Sequence, residues 1–95
     1  MEISFNKDER QEMLETLVNN IPVLRSKMGI TQQELADRIG ITRNTLNAIE
    51  NKKTPLTWVN FIAITLLFYV NDDTKPLLDA LNGYSKKLDD FIKFV

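Results

Sequence analysis

The sequence predicts an all-α protein, a compact bundle of five to seven short helices, and three observations predict it. Apolar residues recur at three- and four-residue intervals in one segment after another. No stretch alternates polar and apolar for long. Capping residues stand where the periodic segments begin. Ninety-five residues amount to a single domain, 1–95, and an apolar content of 43% fills one small core.

Asn6, followed three residues later by Glu9, has the form of a capping box. It opens a helix with Met13, Leu14, Leu17, Val18 and Ile21 at helical spacing. Pro22 interrupts that pattern. Proline suits a first turn, so Asn20 is expected to cap a second helix through Val23, Leu24 and Met28, closed by Gly29. An N-terminal arm (Glu2-Ile3-Ser4-Phe5) and helix then occupy 1–20. Thr31 and Glu34 form a second box, opening a helix with Leu35, Ala36 and Ile39 inward and Gly40 at its end. Thr42 caps the next, with Leu46 and Ile49 inward and Arg43, Asn44, Asn47 and Ala48 outward.

Asn51 to Pro55 reads as a polar loop, and a helix from Leu56 or Thr57 runs to Val70. After Asn71-Asp72-Asp73-Thr74, a short helix through Leu77, Leu78 and Leu81 ends at Asn82-Gly83. The last helix carries Leu88, Phe91, Ile92 and Val95 at i, i+3, i+4 and i+7, so 71–95 is a C-terminal helical tail.

Composition narrows the function. There is no cysteine, hence no disulfide or thiolate metal site, which suits a reducing cytoplasm. There is no histidine, so the commonest general base and zinc ligand are missing. Asp72-Asp73 and Asp89-Asp90 are adjacent pairs, not converging constellations. No catalytic residue, metal or cofactor is expected, and the chain is not read as an enzyme. Met1 is followed by Glu2 and polar residues, so no secretory leader is read. Phe61 to Val70 is too short to span a bilayer, and no membrane partner is expected.

Net charge is −1, but its distribution is uneven. Residues 1–20 carry −3. Residues 21–58 carry +3, from Arg25, Lys27, Arg38, Arg43, Lys52 and Lys53 against Glu34, Asp37 and Glu50. The middle third is where a phosphate backbone finds cations.

Two short helices joined by a glycine turn, the second exposing polar side chains, make a helix-turn-helix over Thr31 to Glu50. A steep crossing needs a small residue, supplied by Ala36. The turn needs a residue tolerant of positive φ, supplied by Gly40. Ile41 plugs the turn into the core.

Here the chain resembles the phage repressor and Cro-like (XRE-type) family, whose fold is a lambda-repressor-like DNA-binding domain. The similar string is LRSKMGITQQELADRIGITRNTLNAIENKKTP. The family's features in it are Arg25, Gly29 to Gln32, Leu35-Ala36, Gly40 to Thr42, Ile49 to Asn51 and the following proline. The resemblance implies a domain at 21–70 with its motif at 31–50. It implies base contacts from Arg43, Asn44 and Asn47, and phosphate contacts from Gln32, Thr42, Thr45, Asn51 and Lys53. Gln32 is further expected to brace the side chain at position 43, and Arg25 and Glu50 to form an internal ion pair. Two departures stand out. Lys52 replaces the glycine usual after Asn51, so the loop's backbone is expected to differ, and the interval after Pro55 is one residue short.

Residues 56–70 are too apolar for a helix with one wet side. Val59, Ile62, Ala63 and Leu66 form one stripe, and Trp58, Phe61, Ile64, Leu67, Phe68 and Tyr69 cover most of the remainder. The second face needs cover from the tail or from another subunit, and the tail is a candidate dimerisation element. The leading functional reading is a homodimeric transcriptional repressor on a pseudo-palindromic double-stranded operator. The alternatives are an antitoxin that also binds a toxin protein, and a helix-turn-helix kept only for protein–protein interaction.

Overall fold

The computed structural model describes residues 5–81 and 84–94. Six helices follow in order: α1 (Lys7–Met28), α2 (Gln32–Ile39), α3 (Arg43–Glu50), α4 (Trp58–Tyr69), α5 (Lys75–Ala80) and α6 (Lys86–Lys93). No strand occurs among the described residues. The expected arm over Glu2 to Ser4, the Asn82-Gly83 terminator and Val95 lie outside them.

Local hydrogen bonding sets most of the boundaries. Asn6 and Thr31 each accept from the amide three residues on, and Glu9 and Glu34 accept from the cap amides in return. Thr42, Thr57 and Ser85 cap α3, α4 and α6 in the simpler way, by accepting from Thr45, Asn60 and Leu88.

One boundary is a correction. Pro22 does not start a new helix but lies inside α1, which runs unbroken for 22 residues across the expected division at 20/21. An interior proline removes one hydrogen bond, to the carbonyl of Val18, and costs about 3 kcal/mol. Tertiary burial offsets that loss, since Ile21 and Leu24, on either side of Pro22, are both completely buried. Burying each such side chain contributes roughly 1.5–3 kcal/mol. Asn20 is not a cap; its side-chain amide donates to the Thr16 carbonyl at 2.8 Å, within the same helix.

A single core collects Leu17, Ile21 and Leu24 of α1, Leu35 and Ala36 of α2, Leu46 and Ile49 of α3, and Phe61, Ile64 and Phe68 of α4. Phe5, Leu56, Leu78 and Leu88 complete it. Thr74 is buried as well, and its hydroxyl donates to the Phe68 carbonyl at 2.6 Å, which satisfies the end of α4.

The tail folds back on its own chain. Leu88 is fully buried, and Phe91 meets Phe5 edge-on at 5.3 Å and Trp58 at 6.1 Å. Trp58 stacks on Phe61 at 4.9 Å, and the Arg10 guanidinium lies 4.7 Å above the Trp58 ring. Lys87 pairs with Glu9 at 2.7 Å. Leu88 and Phe91, half of the stripe that suggested a dimer surface on the tail, are therefore occupied within the chain.

The other side of α4 is different. Val59, Ala63, Leu66 and Val70 lie opposite Phe61, Ile64, Thr65 and Phe68 at helical spacing. Val59 and Val70 are each 76% exposed. No charged residue occurs anywhere in α4.

Candidate nucleic-acid interface

The turn between α2 and α3 is built by two adjacent amides. Gly40 and Ile41 both donate to the Ala36 carbonyl, at 2.9 and 3.1 Å. Gly40 has φ 80° and ψ 29°, the left-handed region. A methyl group added at Gly40 would meet no atom within 4 Å, so the glycine is required by its backbone angles and not by crowding. Ala36 is fully buried, and Ile41 packs against the core. Leu46 and Ile49 then fix the roll of α3 and leave Arg43, Asn44, Thr45 and Asn47 exposed.

The hydrogen bonds among the expected site residues are specific. Gln32 donates its side-chain amide to Asn47 Oδ1 at 3.3 Å. The expected brace on Arg43 is absent among the described hydrogen bonds; Gln32 reaches one turn further along α3. Arg43 nonetheless shares a groove with Gln32, Arg25, Thr31 and Gln33. The Thr42 hydroxyl accepts from the Thr45 amide and donates to the Thr45 hydroxyl at 2.9 Å. It is thus committed to the cap, whereas the Thr45 hydroxyl proton is free to be donated outward. Gln33, which sequence reasoning did not single out, lines the same groove as Arg43, while its side-chain amide donates to Asp37 Oδ1 within α2 at 2.8 Å.

Beyond α3, the loop corrects the expectation drawn from Lys52. Asn51 is the C-cap, Lys52 has φ 62°, and the amides of Lys52 and Lys53 donate to the carbonyls of Ile49 and Ala48 at 3.0 and 2.9 Å. This is a complete Schellman motif, the backbone that a glycine would give, imposed here on a lysine. The two hydrogen bonds to carbonyls at the end of α3 hold it there. Asn51, Lys52 and Lys53 are all exposed.

Beneath this surface Arg25 meets Glu50 at 2.9 Å, the side chains being only 17% and 6% exposed. α3 packs against both α1 and α2, so the pair lies within a packed frame. The result is a short capped helix projecting an arginine, two asparagines and a threonine, with two lysines beyond its far end.

Residues 24–61 match a family model described as helix-turn-helix. Over these residues the chain is similar to the helix-turn-helix family. The match bears out the resemblance to its repressor and Cro-like type. No curated protein and no solved structure matches the chain. The helix-turn-helix is a DNA-binding regulatory domain and not an enzyme family, so the coarse reading of the protein is a DNA-binding regulator. No helix among the described residues is long and apolar enough to cross a membrane. Outside the matched helix-turn-helix segment stand most of α1, most of α4, and all of α5 and α6.

Proposed function

We propose that the protein is a sequence-specific transcriptional repressor, acting in the cytoplasm as a homodimer that occupies a pseudo-palindromic operator. The observation that carries this reading is the exposed first turn and outer face of α3, with Arg43, Asn44, Thr45 and Asn47 clear of the core. Arg43 makes a bidentate contact to guanine, and Asn44 pairs with adenine. Asn47, its oxygen engaged by Gln32, presents its amide N–H groups to a base acceptor. Phosphates are held by Gln32, Thr45, Asn51 and Lys53, with Thr42 contributing through the helix end that it caps.

A single recognition helix makes too few contacts to bind tightly alone, and a two-fold dimer reads two half-sites about 34 Å apart. The second copy docks on the bare face of α4. Val59 and Val70, like Ala63 and Leu66, are symmetric about the Ile64–Thr65 peptide. Two antiparallel α4 helices therefore set Val59 against the partner's Val70 and Ala63 against the partner's Leu66. A face without charge is matched by another without charge, and a two-fold axis supplies one.

The test is selection of bound DNA from a random pool with the purified full chain. Enrichment of an inverted repeat supports the reading; a pool that stays random overturns it. The antitoxin alternative uses the same α4 face for a toxin, and co-purification of a small basic protein in place of a dimer favours it. If the motif serves only protein–protein interaction, Arg43→Ala with Asn44→Ala leaves partner binding intact.

A further inference from the structure

Two threonines are buried among the described residues, and they differ in one respect. Thr74 donates its hydroxyl to the Phe68 carbonyl. Thr65, 1% exposed in the middle of α4, has no hydrogen-bond partner for Oγ1 among the described residues. A helical threonine can give its hydroxyl to a carbonyl three or four residues back, and Thr65 makes no such bond. Valine has nearly the same shape and would fill this position without leaving an orphaned group.

Thr65 also lines a half-open cavity of about 290 Å³ between α1, α4, α5, Phe5 and the start of α6. Most of the wall is apolar, chiefly Met13, Leu17, Phe61, Leu78 and Leu81, with the hydroxyl-bearing Thr16 and Ser85 beside them. At the rim, Glu9 and Lys87 neutralise one another at 2.7 Å, and Glu12 adds a negative charge that disfavours anions. A sealed apolar cavity of ~150 Å³ accommodates benzene, so this larger, half-open one has room for a substituted ring.

We propose that this cavity is a binding site for a small, uncharged, largely apolar molecule carrying one hydrogen-bonding group, which is received by the Thr65 hydroxyl. Apolar walls supply the affinity and one polar group fixes the orientation, the usual division of labour in a ligand pocket. α1 forms one wall and also packs against α3, so the occupant is placed to act as an effector of the recognition helix.

Phenol and toluene are near-isosteric probes that differ by the hydroxyl. The full chain is titrated with each while the methyl resonances of Leu17, Leu78 and Leu81 are followed by NMR. Both probes are expected to shift these signals, phenol binding about fivefold more tightly, the worth of one hydrogen bond. Thr65→Val is expected to abolish the preference while toluene binding is kept, and to raise the melting temperature of the free protein. Thr65→Ser is expected to retain the preference. Unmoved methyl signals with both probes up to their solubility limits overturn the proposal. So does a phenol preference that survives in Thr65→Val, or a Thr65→Val protein that melts lower, which would mean the hydroxyl is already satisfied by bound water. The titration uses no DNA, so its outcome is independent of the regulator reading.

Discussion

Arg25 on α1 and Glu50, the last residue of α3, are joined by two parallel hydrogen bonds, Nε to Oε2 at 3.1 Å and Nη2 to Oε1 at 2.9 Å. The planar guanidinium matches the carboxylate fork, and a lysine cannot reproduce that geometry. The pair ties the end of the recognition helix to the longest helix of the protein.

Removing one partner leaves the other charge shielded and uncompensated. Glu50→Ala is therefore expected to destabilise the fold by about 3 kcal/mol in urea unfolding. Arg25→Met combined with Glu50→Leu is expected to recover most of that loss. A Glu50→Ala cost near zero would show that the pair does not anchor α3.

Lys52 holds a left-handed backbone that an L side chain adopts at a cost of ~1–2 kcal/mol. Lys52→Gly is expected to raise stability by about 1 kcal/mol, whereas Lys52→Ala, which keeps a Cβ, is expected to give little gain. Thermal melts of the three proteins make the comparison.

Base and phosphate contacts separate by how they fail. Arg43→Ala is expected to weaken operator binding by about 1–3 kcal/mol while random DNA is bound nearly as before. Lys53→Ala is expected to weaken both alike and to lower the salt dependence by about one unit of slope. Binding isotherms at several salt concentrations distinguish the two, and equal losses on both DNAs for Arg43→Ala would contradict a base-reading role.

The antiparallel α4 dimer has a reciprocal test. Val59→Glu and Val70→Lys, both at exposed positions, are each expected to give a folded monomer in sedimentation velocity. Combining the two substitutions sets each introduced carboxylate against the introduced ammonium of the other copy and is expected to restore the dimer. A mass unchanged by either single substitution rules out this face.

Docking of α6 is expected to depend on pH at both ends. Hydrogen bonds from Lys87 to Glu9, and from Lys93 and Tyr84 to Asp89, hold these carboxyls below their usual range. Their contribution is present above the ordinary carboxylate pKa and is lost as pH falls through the lowered values. Burial, with the bond to Asp89, pushes the Tyr84 hydroxyl up to about 12. That contribution is complete below the ordinary tyrosine value of 10.0 and fades as pH rises towards 12. Trp58, the only tryptophan, touches Phe91 of α6, and its fluorescence reports both transitions. Tyr84→Phe is expected to remove the Tyr84 part of the alkaline one and to leave that of Lys93, whose ammonium is held above its usual range by the bond to Asp89.

The sequence by itself determined the features that rest on hydrogen bonds spanning three to five residues. These are the boxes at Asn6–Glu9 and Thr31–Glu34, the Thr42 cap and the Gly40 turn, and with them the segment that projects Arg43 and Asn44. Tertiary structure decided the rest. Burial of Ile21 and Leu24 carried α1 through Pro22, and two carbonyls at the end of α3 held Lys52 in a glycine's conformation. Packing against Phe5 and Trp58 turned the tail inward, and the roll of α3 gave Gln32 to Asn47 instead of Arg43. Contacts between residues distant in the chain depend on how whole helices settle against one another, and no local pattern encodes that.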